Sequence, residues 1–126
     1  MGRKKAPRPT KAEMAILYAL WELGPSTVRQ IWESLEHHQR VGYTTVLKQL
    51  QVMQQKGLVT ADDRPRSNIY TAAITEEEAQ RRGRIELLKE FYRGSARKLM
   101  LQAVAEEHLS KEELLEIRRL INSKVK

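Results

Sequence analysis

The 126-residue sequence has no cysteine, which removes disulfides, thiolate metal sites and cysteine nucleophiles together. That fits a reducing compartment, and a cytoplasmic location is the expectation. Long apolar runs are missing too. The longest uncharged run in the first helical stretch, "MAILYALW", is far too short to span a bilayer, so no membrane insertion is expected. The basic start "MGRKKAPRPTK" has no small-residue cleavage site behind it and does not read as a secretion signal. No glycine-rich phosphate loop and no recognisable Ser/His/Asp set occurs. His37 and His38 are adjacent and point to different faces of any regular element, so neither a metal site nor a cofactor is expected. Carboxylate runs such as "TEEE" and "KEEL" fall in first helical turns, where the helix dipole explains them. Nothing here suggests an enzyme.

One sign of charge is also missing locally. Residues 37–61 hold no Asp or Glu in a chain that is 31% charged. Across the whole chain Lys and Arg number 23 against 16 acids, a net charge of +7. The excess is uneven: residues 1–74 carry 11 basic and 6 acidic side chains, residues 75–126 carry 12 and 10. A basic front half followed by a near-balanced back half suits a polyanion-binding module joined to something else. A merely solubilising surface charge would look similar.

Residues 1–9 are basic, carry Pro7 and Pro9, and read as a flexible arm. Thr10 and Glu13 make an S/T-x-x-E capping box, which predicts a helix to about Leu23. Its core stripe is read as Met14, Leu17, Tyr18 and Trp21, widened by Ile16 and Leu20, with Gly24-Pro25 as the stop. Ser26 is expected to cap a second helix, whose stripe is Val28, Ile31, Trp32 and Leu35. A third helix over "YTTVLKQLQVMQQ" buries Val46, Leu50 and Met53 and closes at Gly57. "LVTADDRPRSNIYTAAI" then reads as a hairpin around a charged turn. Three short helices and a hairpin are the order of a winged helix-turn-helix. The fold class expected is mainly α with a small β-hairpin: a winged helix-turn-helix domain over 10–74 and a helical dimerisation domain over 75–126. In the latter, capping boxes Thr75/Glu78 and Ser110/Glu113 bracket three helices. Their stripes at Ile85, Leu88, Phe91, Tyr92, Leu99, Val104, Leu114, Ile117 and Ile121 exceed what so few residues can hide, which points to a homodimer.

In a helix-turn-helix the second helix of the motif enters the major groove. The third helix has the residue types for that. Thr44 and Thr45 can bond phosphate or base edges, and Lys48 can reach guanine or a phosphate. Gln51 and Gln55 suit adenine or backbone, Val52 suits a thymine methyl, and Tyr43 borders the set. Arg64 and Arg66 at the hairpin tip are candidate backbone or minor-groove contacts, although Asp62 and Asp63 beside them also suit an ordinary charged turn. In the arm, Arg3, Lys4, Lys5 and Arg8 could add phosphate contacts or only solubility.

The stretches "AEMAILYALWELGPSTVRQIWESL", "YTTVLKQLQVMQQKGLV" and "LSKEELLEIRRLI", in that order and spacing, resemble the penicillinase and methicillin-resistance repressors. These form the BlaI/MecI family, with its copper-responsive CopY branch. The resemblance runs from Thr10 to about Ser123. It implies a dimeric winged-helix transcriptional repressor binding inverted-repeat operators in double-stranded DNA. By position it puts DNA contacts on Thr44, Thr45 and Lys48, with wing contacts near Arg64 and Arg66. Where this chain has Val52, an arginine often stands in those repressors. The copper branch senses metal through paired C-terminal cysteines, and this chain has none. The β-lactam branch implies relief through a membrane sensor metalloprotease that cuts the dimerisation helices. The matching stretch here is "LMLQAVAEE", with Gln102-Ala103 about where the cut would fall. A winged-helix module used only for protein–protein assembly stays open as the alternative.

Overall fold

Thr10 starts the first helix. In the computed structural model, which describes residues 7–62, 64 and 69–126, its Oγ1 accepts the Glu13 N–H at 3.2 Å. Its own N–H donates to Glu13 Oε1 at 2.9 Å. The closed box satisfies donors that a helix start leaves orphaned, and α1 runs Lys11–Leu23. Pro9, just ahead, is buried. Gly24 ends the helix at φ +79°, a backbone conformation that other residues adopt only under strain.

Ser26 does not cap the second helix. It is buried in a two-residue strand, β1 (Ser26–Thr27), and its Oγ donates to Gly24 O at 2.7 Å. With that hydroxyl spent on the turn, the cap passes to Thr27, which closes a box with Gln30. Helix α2 is Val28–Glu36, and α3 is Tyr43–Gln55. Past α3, Gly57 sits at φ +80°. Its N–H donates to Gln54 O at 3.1 Å, and the Leu58 N–H donates to Met53 O at 2.9 Å. This pair of bonds is a Schellman motif, and the residues it joins, Met53 and Leu58, are both in the core. Strands β2 (Val59–Ala61) and β3 (Ile69–Ala72) then pair antiparallel. The expected hairpin is present, but β1 adds to the other edge of β3, giving the order β1-β3-β2. Ser26 faces Tyr70, and Thr27 faces Ile69.

The core takes Val28, Ile31 and Leu35 from α2 and Val46, Leu50 and Met53 from α3. On α1 the buried stripe is Ile16, Leu17 and Leu20, with Met14 and Trp21 at its margin and Tyr18 exposed. The stripe is rotated from the expected one because Trp21 has a polar end: its Nε1 donates to Ile74 O at 3.0 Å, which holds the indole at the rim. Truncating a fully enclosed side chain such as Leu50 to Ala should cost about 2–5 kcal/mol.

By compactness the chain divides into two units within α4 (Glu76–Tyr92), at Arg84/Ile85. The Thr75 hydroxyl accepts the Glu78 N–H at 3.0 Å. The Glu78 carboxylate turns forward instead, to Arg81 at 3.0 Å and Arg82 at 3.1 Å, which hold its pKa at about 2. The second unit continues with α5 (Ala96–Glu106), capped by Ser95, and α6 (Lys111–Val125), started by a closed Ser110/Glu113 box. No residue of 85–126 is buried, and Phe91 is 74% exposed. Among the described residues, no helix is long and apolar enough to cross a membrane.

Glu13 also links two helices. It is 2% exposed, and its Oε2 accepts Lys56 Nζ at 2.7 Å. Burial pushes its carboxyl up, but the bond to Lys56 and the Thr10 N–H outweigh this and hold it below the ordinary 4.5. A carboxyl lowered on folding contributes stability at neutral pH that is lost as pH falls below about 4.5. Glu13→Gln should keep the cap and lose the pair. We expect it to cost ~1–2 kcal/mol at pH 7, a modest figure because Lys56 is 44% exposed. In urea unfolding the difference from wild type should shrink at pH 3. An equal difference at both pH values would mean that the charge of Glu13 is not what stabilises this contact.

Candidate nucleic-acid interface

Both backbone polar groups of Val41, in the turn between α2 and α3, are held by α2 side chains. Trp32 Nε1 donates to Val41 O at 2.7 Å, and Val41 N–H donates to Glu36 Oε2 at 3.0 Å. The Trp32 ring also meets Tyr43 edge to face, centroids 5.9 Å apart and planes at 79°. Trp32 thus grips the residue ahead of the α3 N-cap and the first residue of α3. The angle at which α3 leaves α2 follows from these three contacts and from the shared core beneath them.

With Val46, Leu50 and Met53 turned inward, Thr44, Thr45, Lys48, Gln51, Val52 and Gln55 are all exposed. Tyr43 is exposed at the edge, although its ring is already engaged by Trp32. The face is continuous along α3. Val52 is 43% exposed on an otherwise polar arc. Such a face offers hydroxyls, one ammonium and two carboxamides, donors suited to phosphate oxygens and base edges. The start of α3 is also distinctive. Helices α1, α2, α4, α5 and α6 each have a Ser or Thr hydroxyl accepting a first-turn N–H. α3 starts from Gly42 with no side-chain cap. Its first N–H groups and the positive end of its dipole stay open to an anion.

The surface extends past the residues expected from sequence. A shallow groove of about 410 Å³ joins Thr45, Lys48, Gln49 and Val52 of α3 to Thr10, Glu13 and Lys56. The stretch that is acid-free in sequence therefore has an acid beside it in space, buried and matched by Lys56. No local pattern could reveal that neighbour, 43 residues away. Arg64 is exposed, but its Nε lies 2.9 Å from Asp62 Oδ2 and its backbone N–H donates to Asp62 Oδ1 at 3.0 Å. Asp62 holds the guanidinium more firmly charged than usual and offsets its charge toward a polyanion. Arg66, Arg3, Lys4 and Lys5 lie outside the described residues. Among the described residues, no group of three or more His, Asp or Glu could hold a metal ion.

Of the remaining candidates, Ile85, Leu88, Tyr92, Leu99 and Ile117 are half-buried, and Phe91, Val104, Leu114 and Ile121 are exposed. Met100, Leu101 and Val125 are exposed apolar residues that the stripe reading missed. Gln102 is exposed and Ala103 half-buried, both inside α5.

A three-helix core, a tight α2–α3 turn, an open face on α3 and a small antiparallel sheet define a winged helix-turn-helix protein. The solution structure of monomeric Bacillus licheniformis BlaI in complex with the blaP half-operator shares this fold. It aligns with a TM-score of 0.51 and 21% identity, covering 60% of this chain and 93% of that one. The model of the penicillinase repressor family matches residues 9–123. The chain belongs to that family of DNA-binding repressors, which are not enzymes. Membership decides between the two function classes that sequence left open. No curated protein matches the chain.

Proposed function

We propose that the chain represses transcription as a homodimer on an inverted-repeat operator, each protomer laying α3 in the major groove of one half-site. The observation that carries this is the uncapped start of α3 with Thr44, Thr45 and Lys48 exposed behind it. Open N–H groups and the dipole would fix a phosphate, while Lys48, one turn on, reaches a base edge. Gln51, Val52 and Gln55 continue the reading face, with Tyr43 at its margin and Arg64 in the wing. BlaI was captured as a monomer on a half-operator, which supports one winged helix per half-site. Since the partner is DNA, the compartment is taken to be the cytoplasm.

In this reading residues 10–74 bind DNA and residues 75–126 dimerise. Support for the second role is the absence of any buried side chain in 85–126, where Phe91, Val104, Leu114 and Ile121 leave an apolar face open. Patches of that kind mark association surfaces, and a second copy covers them by two-fold symmetry. Relief of repression would come from a membrane sensor metalloprotease cutting within 99–106, near Gln102-Ala103. Because α5 buries no residue, unwinding it to fit a protease cleft disrupts little packing. The cut detaches α6, dimer contacts go with it, and the second half-site loses its effective concentration.

Three outcomes are expected. Lys48→Ala should weaken binding to the cognate operator by about 1–3 kcal/mol and binding to unrelated duplex by less. Titrations at two salt concentrations measure both, and equal operator affinity for variant and wild type would mean the wrong helix has been placed in the groove. Sedimentation at micromolar concentration should give twice the 14.7 kDa of one chain, with an interface above about 2,000 Å²; a monomer would remove the basis for two half-sites. Finally, mass spectrometry of the repressor from antibiotic-induced cells should show cleavage between residues 99 and 106. An intact chain alongside full derepression would rule proteolysis out.

A further inference from the structure

A second groove, of about 530 Å³, opens between α1, α2 and the first turn of α4. Its size falls within the range of small-molecule sites. Tyr18 and Trp21 meet there edge to face, centroids 5.5 Å apart and planes at 82°, so the two rings form adjacent walls of a corner. Tyr18 is half-exposed, Leu35 lines the groove between the helices, and His38 lies along it. Glu22 and Glu76 line it as well.

Two features give this groove a chemistry. The hydrogen bonds and ion pairs of the described residues leave both Glu22 and Glu76 unpaired. On a chain of net charge +7, unpaired carboxylates beside an aromatic corner reverse the local sign. A polyanion such as DNA is therefore repelled here. Ser34, His38 and Gln39 also line the groove, but among the described residues no three His, Asp or Glu come together to hold a metal ion. An alkylammonium suits all the parts: its methylene or methyl surface packs on Leu35 and the rings, and its charge faces the ring quadrupoles with the carboxylates as counter-charges.

We infer that this groove binds a small organic cation, an amine or quaternary ammonium held by Tyr18 and Trp21 with Glu22 and Glu76 opposing its charge. The inference rests on none of the DNA reading above, and its test needs no DNA. The full-length protein is titrated at pH 8 with benzyltrimethylammonium and, separately, with its neutral carbon isostere, and followed by amide and indole NMR. The cation should move the Trp21 indole and the amides around Tyr18 and Glu22 saturably, and the isostere should bind at least tenfold more weakly. Tyr18→Ala should weaken the cation about tenfold, with Tyr18→Phe restoring it, and the Glu22→Gln/Glu76→Gln pair should weaken it further. Tyr18 is half-exposed, so both variants are expected to fold, and their amide spectra report whether they do. Equal binding of cation and isostere, shifts centred on Trp32, or no shift at millimolar cation would each overturn the proposal.

Discussion

The grip of Trp32 on Val41 is the contact on which the placement of the exposed α3 face depends. A turn of six residues joins α2 to α3, and such a turn left to itself samples many conformations at roughly 1–2 kcal/mol of entropy per ordered residue. Here one backbone carbonyl and one backbone N–H are fixed by side chains of the preceding helix. The Trp32 ring then rests against Tyr43. Tyr43 therefore has a structural role before it has any role toward DNA. With the turn fixed, the inward row Val46, Leu50 and Met53 can seat on α1 and α2, and the outward row is presented at one angle. A pre-formed angle matters because any disorder in α3 would be charged against binding.

Electrostatics works on the same surface with few charges. Lys48 lies on the outer arc of α3, and Lys56, just past the helix, is matched by Glu13. Among the described residues of α3 itself, that face carries the Lys48 ammonium, the open helix start and neutral hydrogen-bonding side chains. This arrangement favours close, directional contacts over broad attraction. At the wing, the Arg64–Asp62 pairing makes a similar compromise.

How legible was this in the sequence? Features set by local geometry were readable. The Thr10/Glu13 and Ser110/Glu113 boxes, the stop at Gly57 and the inward row of α3 depend only on spacing along a helix. Features set by distant partners were not. The two-residue β1 is too short to show a period, and it exists because β3 offers an edge. Trp21 left the middle of the α1 stripe because a carbonyl 53 residues away accepts its N–H. Glu13 looked like a capping residue alone until the fold brought Lys56 to it. For Glu78 the spacing was right, but Arg81 and Arg82 compete for its carboxylate. The family resemblance was legible because it rests on the order of three stretches, and the family match spans the same region.

The central claim is that the turn is set before DNA arrives. It is tested most directly by hydrogen exchange of the Val41 amide and the Trp32 indole N–H in the free protein and on an operator duplex. If side chains hold the turn, both protons are protected at least about tenfold over an open chain without DNA, and the duplex changes them little. Fast exchange in the free protein, with protection gained only on the duplex, would show that DNA builds the turn and that the grip of Trp32 is a consequence of binding.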